Sequence, residues 1–156
     1  MEDDITRYGL ILNDTVRFYN NNQRCVEALN SFSKDSKQEF PLSISFVEWF
    51  ITKYLKNYPL IYYVNKVGGY KVCRTDEYNR RVNVHLEFRS RVKNLTKRYF
   101  DPFRRNDRLT FLTKDGLKID TTLAQMCFVR WFHSDGLYQY MLENYKEINA
   151  LRRIAS

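Results

Sequence analysis

The segment 97–108 concentrates the side chains best suited to binding phosphates. It interleaves three aromatic rings with five cations and two carboxylates. Arginine presents a planar fork of donors to a phosphate, and neighbouring rings can stack on bases or hold a guanidinium flat. The segment therefore predicts a phosphate-binding surface. The residues expected to contact nucleic acid are Lys93, Lys97, Arg98, Arg104, Arg105 and Arg108.

The same segment also has a structural interpretation. Phe100 and Phe103 can insert into the core, while Asp101 and Asp107 bind neighbouring arginines and hold a corner between a helix and a strand. For Phe100, Asp101, Pro102 and Phe103 both interpretations stay open, and we treat these residues as a structural corner. For the cations we favour binding, because two nearby carboxylates cannot neutralise all of them.

The excess positive charge of the chain lies in one stretch. Residues 71–118 contain 14 basic and 6 acidic residues, and their net charge of +8 equals that of the whole chain. Because cations are ordinarily scattered, this distribution predicts a positively charged face. Its expected partner is nucleic acid, bound mainly through phosphates and without strong sequence preference. An acidic protein partner is the alternative, and homo-oligomerisation stays open.

The inventory of reactive side chains favours a binding protein over an enzyme. The only histidines are His85 and His133, and Cys25, Cys73 and Cys127 are too far apart for the short ligand pairs of structural zinc sites. No nucleotide-binding glycine motif is present. We therefore expect no catalytic residue, no metal and no cofactor. The odd number of scattered cysteines predicts a reducing compartment, which is the cytosol or the nucleus.

Targeting and membrane segments are not expected either. The acidic opening of the sequence lacks the charged and apolar regions of a signal peptide. No apolar stretch approaches the roughly 18–20 residues that a membrane span needs. We therefore expect no membrane partner.

Helical periodicity marks the first part of the chain. The apolar residues within 5–19 fit one helix, and those within 26–32 fit a second, shorter one. Ser45 and Glu48 have the spacing of a capping box. Behind them the apolar residues predict an amphipathic helix that ends near Asn57.

The middle of the chain predicts strands followed by a helix. Residues 60–64 are β-rich, and 70–73 are expected to return as their hairpin partner. Residues 82–86 alternate between apolar and polar, which predicts a strand with His85 on the face opposite its apolar neighbours. From Glu87 onward the apolar period becomes helical, and the basic side chains fall on the wet side.

The C-terminal third combines a hairpin with two helices. An Asp-Gly pair at 115–116 separates two β-type runs, which is a strong hairpin signal. Thr121 or Thr122 is expected to cap a helix through Phe132, and a last helix is expected from about Leu137. The whole chain thus predicts a single compact α+β domain, with several helices packed on a small, mostly antiparallel sheet. Residues 1–40 would form a helical N-terminal segment of this domain, 1–156.

Four segments occur together in an order that resembles a viral family. They are 82–86, 97–105, 121–125 and 128–131. The chain resembles uncharacterised small basic proteins of nucleocytoplasmic large DNA viruses, of the mimivirus, marseillevirus and iridovirus kind. Their pattern is F-D-P-F-x-R-R, then T-T-x-x-Q-x-x-F-x-R-W, and the likeness covers about 44–150.

The resemblance implies a viral setting and no mechanism. Expected locations are the cytoplasm or nucleus of the host cell, including the virus factory, and the virion. A virion structural, capsid-associated or adaptor protein is the alternative to a nucleic-acid-binding one. Arg104 stands where these proteins usually have Cys. A cysteine at that place is therefore not expected to be an obligatory nucleophile or ligand.

Overall fold

Among the residues that the structure describes, helices predominate and two small antiparallel sheets accompany them. The computed structural model describes residues 2–33, 44–57, 61–64, 70–72, 81–134 and 136–155. The helices are α1 Glu2–Asn20, α2 Gln23–Ser33, α3 Ile44–Trp49, α4 Leu55–Asn57, α5 Val84–Tyr99, α6 Leu123–Ser134, α7 Leu137–Glu143 and α8 Tyr145–Ala155. The strands are β1 Ile61–Val64, β2 Tyr70–Val72, β3 Arg81–Asn83, β4 Arg108–Leu112 and β5 Lys118–Thr122. The predicted α+β class is confirmed. None of the described helices is long and apolar enough to cross a membrane.

The two predicted N-terminal helices are present as α1 and α2. The buried face of α2 follows helical spacing and consists of Cys25, Val26, Ala28, Leu29 and Phe32. At the end of α1, the Tyr19 hydroxyl donates a 2.6 Å hydrogen bond to the carbonyl of Met126 in α6. Because that tyrosine is only 1% exposed, this bond satisfies a polar group inside the core.

The predicted amphipathic helix over 45–57 is also present, with a wide turn in its middle. Between α3 and α4, residues Phe50–Tyr54 form a π-helical segment. Phe50 and Ile51 are buried there, and the ring of Phe50 stacks on that of Tyr54 at 5.2 Å. The side chain of Ser45, the predicted cap, lies outside the described residues.

The first sheet has the strand order β2-β1-β3, and both of its pairings are antiparallel. Tyr62 pairs with Val72 on one side and with Val82 on the other. Hairpin pairing of β1 with β2 is therefore confirmed. Cys73, the expected end of the second strand, lies outside the described residues.

The strand predicted over 82–86 was wrong beyond Asn83, because α5 begins at Val84. His85 therefore lies in the first turn of a helix, with its Nδ1 atom 3.4 Å from the Ile51 carbonyl oxygen. Alternation over five residues also fits the start of a helix. Here Phe88 and Val92 pack on the core at helical spacing, and this packing favours helix from Val84 onward.

A kink near the end of α5 changes the direction of the chain. Thr96 has φ 64° and ψ 164°, a region that is essentially reserved for glycine. The Phe100 amide then donates to the Thr96 carbonyl at 3.0 Å and closes the following turn. Lys93 therefore follows the helical spacing of the residues before it. Lys97 lies after the kink and does not follow that spacing.

The backbone at Thr96 makes a testable prediction about stability. We expect Thr96→Gly to raise the free energy of unfolding by about 1 kcal/mol. Relief of roughly 1–3 kcal/mol of strain exceeds the roughly 0.5–1 kcal/mol that glycine costs in the unfolded chain. Urea denaturation monitored by circular dichroism would measure the change. Ser90→Gly, at an exposed helical position of the same helix, should lower stability instead, and a loss in both variants would contradict the strained conformation.

The second sheet is the hairpin that the Asp-Gly pair predicts. Strands β4 and β5 are antiparallel, with Leu109 opposite Thr121, and Gly116 in the turn has φ 85°. The Thr122 hydroxyl then accepts a 3.1 Å hydrogen bond from the Gln125 amide, so Thr122 caps α6. The last predicted helix is two helices instead. The side-chain amide of Asn144 binds the carbonyl of Tyr140 at 2.9 Å and ends α7 there.

An aromatic cluster around α6 forms the centre of the core. Phe128 is fully buried and contacts five other rings at centroid distances of 5.6–6.0 Å. These rings belong to Phe32, Phe88, Phe100, Trp131 and Phe132. The cluster joins α2, α5 and α6 and anchors the segment that follows α5.

Candidate nucleic-acid interface

The segment from Phe100 to Phe103 forms a tight corner between α5 and β4. Phe100 is 1% exposed, and the Asp101 amide donates to the Ala124 carbonyl at 3.2 Å. The carboxylate of Asp101 accepts a 2.9 Å hydrogen bond from the Phe103 amide. In the described residues this carboxylate thus binds backbone and no arginine, contrary to the structural interpretation of its role.

A buried glutamine holds this corner against α6. The side-chain amide nitrogen of Gln125 donates to the Pro102 carbonyl at 3.2 Å. Its amide oxygen accepts a 2.7 Å hydrogen bond from the Thr121 hydroxyl. These bonds connect the T-T-x-x-Q part of the pattern with the F-D-P-F part. Sequence reasoning missed this role of Gln125, although the two segments were recognised as parts of one pattern.

Three of the predicted cations lie together beyond the corner. They line a pocket of about 260 Å³, which we call the arginine pocket. Its described lining residues are Ser33, Pro102, Phe103, Arg104, Arg105, Arg108 and Gln125. Ser33 is the last residue of α2, and nothing in its local sequence indicated that it would meet the basic segment.

The three arginines of the pocket differ in their exposure and in their ion pairing. Arg104 is 24% exposed and forms a 3.0 Å ion pair with the carboxylate of Asp107. Asp107 has φ 59°, so the turn that presents its carboxylate adopts a left-handed conformation. Arg105 and Arg108 are exposed and form no ion pair within the described ranges. The structural interpretation, in which Asp107 binds a neighbouring arginine, therefore holds for Arg104.

The remaining predicted cations lie on α5, outside the pocket lining. Lys93 and Lys97 are exposed, on opposite sides of the kink. Arg98 is half-buried, with its guanidinium 5.8 Å from the ring of Tyr8 and 5.7 Å from that of Tyr99. It therefore helps to pack α1 against α5. Arg89 is exposed one turn before Lys93, and the sequence prediction did not include it.

A larger groove of about 590 Å³ lies between α1, α5 and α6. Its cations have partners: Arg130 pairs with Asp14 at 2.8 Å, and Arg91 pairs with Glu87 at 3.4 Å. The guanidinium of Arg130 also lies 4.3 Å from the centre of the Phe18 ring. Because each arginine has a carboxylate, this groove offers less net charge to a polyanion than the arginine pocket.

The two described thiols, those of Cys25 and Cys127, are poorly suited to nucleophilic attack. Burial raises the pKa of the Cys25 thiol to about 12 and also raises the pKa of Cys127. Both are therefore protonated near neutral pH. Burial, together with the nearby Arg24, lowers the pKa of His133. Within the described residues, no three side chains of His, Cys, Asp or Glu converge as a metal site would require.

The comparisons with known proteins agree with a viral setting. The chain is 24% identical over 108 residues to the uncharacterised protein L507 of Acanthamoeba polyphaga mimivirus, which covers 66% of the chain and 38% of that relative. The chain thus spans less than two fifths of the relative's length. No solved structure matches it significantly. The family described as "Family of unknown function (DUF7197)" matches residues 6–152, a range that includes nearly all of α1 and all of α2. This protein therefore belongs to the DUF7197 family, a family of unknown function.

Proposed function

We propose that this protein binds nucleic acid through its phosphates, without a catalytic step and without strong sequence preference. One observation carries the proposal: Lys93, Lys97, Arg105 and Arg108 are exposed and form no ion pair in the part of the chain that the structure describes. A cation that is not neutralised by a carboxylate can replace the counterions of a phosphate backbone.

The other two predicted cations receive a supporting role in this proposal. Arg98 lies beside two tyrosine rings and Arg104 is paired with Asp107. A side chain that is held by protein groups contributes less to counterion release, because part of its charge is already compensated. Arg98 would position α5 against α1, and Arg104 would shape the arginine pocket.

The F-D-P-F and T-T-x-x-Q segments support the same proposal. The Asp101 and Gln125 hydrogen bonds hold the corner from which Arg104 and Arg105 project. We infer that the segments on which the resemblance to viral proteins rests mark this corner and the arginines that follow it. The place of action would be the virus factory, in the cytoplasm or nucleus of the host cell, or the virion.

A salt titration tests the proposal. Fluorescence anisotropy would measure the affinity for a short DNA duplex and for a single strand between 50 and 200 mM salt. We expect the logarithm of the duplex affinity to fall linearly with the logarithm of the salt concentration. Four phosphate contacts correspond to a slope of about −3.6. An affinity that stays constant across this range would remove the proposal.

An acidic protein partner, in a virion structural or adaptor role, is the second candidate. The groove between α1, α5 and α6 favours it, because this groove combines Arg91 and Arg130 with the 66% exposed Leu10. Arginine is enriched among residues that dominate protein interfaces. Copurification of a capsid protein after complete nuclease digestion would favour this candidate, whereas loss of the partner on digestion would favour nucleic-acid binding.

A further inference from the structure

The arginine pocket concentrates more charge than an open basic surface does. Three guanidinium groups line it, and Asp107 compensates for one of them through its ion pair with Arg104. Two positive charges therefore remain for a ligand. A phosphate monoester carries about −1.5 to −2 near neutral pH, whereas a phosphate diester within a strand carries about −1. The pocket thus matches a terminal phosphate more closely than an internal one.

Two polar atoms on the pocket residues lack partners. The Ser33 hydroxyl and the Nε atom of Arg104 are buried and have no hydrogen-bond partner among the described residues. A buried donor without an acceptor is unfavourable, so native proteins rarely leave one unless a ligand or water completes it. Both atoms belong to residues that line the pocket, where a phosphate oxygen would be the acceptor.

The base of the pocket is held in position by the fold. Gln125 uses one amide N–H on the Pro102 carbonyl and its oxygen on the Thr121 hydroxyl. An amide nitrogen has two N–H groups, so one remains for a ligand oxygen. Because the residue is only 6% exposed, its orientation changes little on binding. The site is therefore preorganised in part, which reduces the entropy cost of binding.

We propose that the arginine pocket binds a phosphate monoester, such as the 5′-phosphate at the end of a nucleic-acid strand. Arg105 and Arg108 supply charge, while Arg104, Ser33 and Gln125 supply directed donors. The volume of about 260 Å³ corresponds to roughly nine water molecules, enough for a phosphate and part of an attached sugar. The inference rests on the proposed function, because Arg105 and Arg108, two of the four cations that carry that proposal, line the pocket.

A pair of otherwise identical single strands tests this inference. One strand carries a 5′-phosphate and the other a 5′-hydroxyl. We expect the 156-residue chain to bind the phosphorylated strand at least about tenfold more tightly at 100 mM salt. Arg105→Ala with Arg108→Ala should abolish this preference. Lys93→Ala with Lys97→Ala is the matched control: it should weaken binding of both strands equally and keep the ratio.

The outcomes separate the pocket from the basic face. Equal, salt-dependent binding of both strands would overturn the strand end as the ligand of the pocket and leave the proposed function intact, whereas no binding of either strand would overturn the proposed function. Inorganic phosphate and a nucleoside monophosphate are then added in a thermal-shift assay. Stabilisation by either, lost in the Arg105 and Arg108 double variant, would support the pocket with a free phosphate ester as its ligand. The pocket inference would be overturned if neither phosphate compound stabilises the protein and neither strand is preferred.

Discussion

Alanine at Lys93, Lys97, Arg105 and Arg108 together is expected to lower the affinity for a DNA duplex at 50 mM salt by at least about 100-fold. The four side chains are exposed and unpaired among the described residues, so each is available for one phosphate. Their removal should also flatten the salt dependence by about 3.6 logarithmic units per decade. A slope of about −3.6 corresponds to a roughly 150-fold fall in duplex affinity between 50 and 200 mM salt, and the variant should not show this fall. Fluorescence anisotropy across the salt series measures both quantities.

A charge-matched variant controls for the net charge of the molecule. Alanine at Arg17, Lys53, Lys56 and Lys146 removes the same four charges from exposed positions outside 71–118. We expect this variant to retain most of the salt slope, because its cations lie outside the proposed interface. If both quadruple variants lose binding equally, only the overall charge attracts the polyanion. In that case the assignment to these four residues is wrong.

Phe128→Ala is expected to lower the free energy of unfolding by about 3–5 kcal/mol. The side chain is fully buried and contacts five aromatic rings, so truncation removes apolar burial and leaves a cavity that the neighbouring rings cannot fill. One of these rings is that of Phe100, at 5.6 Å, where the corner begins. Equilibrium denaturation in urea, read by tryptophan fluorescence and circular dichroism, measures the loss.

Leu112→Ala is the control for this prediction. Leu112 is 60% exposed on β4, so its truncation should change stability by no more than about 0.5 kcal/mol. A loss below about 1 kcal/mol for Phe128→Ala would contradict the central position of that ring. Because native domains are stable by only about 5–15 kcal/mol, the full expected loss could leave the variant partly unfolded at 37 °C. The measurements should therefore be made at 25 °C or below.

Local patterns predicted most of the helices and hairpins, because those signals lie within a few residues of each other. The Asp-Gly turn and the apolar spacing of α2 are examples, and the structure confirms both. The error at 82–86 has a different origin. The alternating residues span the end of β3 and the first turn of α5, where Leu86 is 59% exposed, and the packing of Phe88 on the core favours the helix. The last helix divides at Asn144, whose backbone and side-chain N–H groups both bind the Tyr140 carbonyl.

For the candidate interface, too, some features were predictable from the sequence and others were not. Sequence alone located the excess charge in 71–118 and placed arginines directly after the F-D-P-F corner. It offered the pairing of Asp107 with a neighbouring arginine as one of two interpretations without deciding between them, and it did not indicate that Tyr8 packs beside Arg98, because such contacts depend on side-chain directions. Ser33 is 71 positions from Arg104 in the chain, so no local signal relates them.

The amino-acid sequence by itself determined the supply of charge, the periodicities of the main helices and the residues that turn the chain. These properties are local, because each depends on side-chain type and spacing over a few positions. Tertiary structure decided which cations are compensated and which are open, and it assembled the arginine pocket from α2, the corner, β4 and α6. The physical reason is that a binding site depends on distances in space between groups that are distant along the chain. Those distances are set when the aromatic core packs.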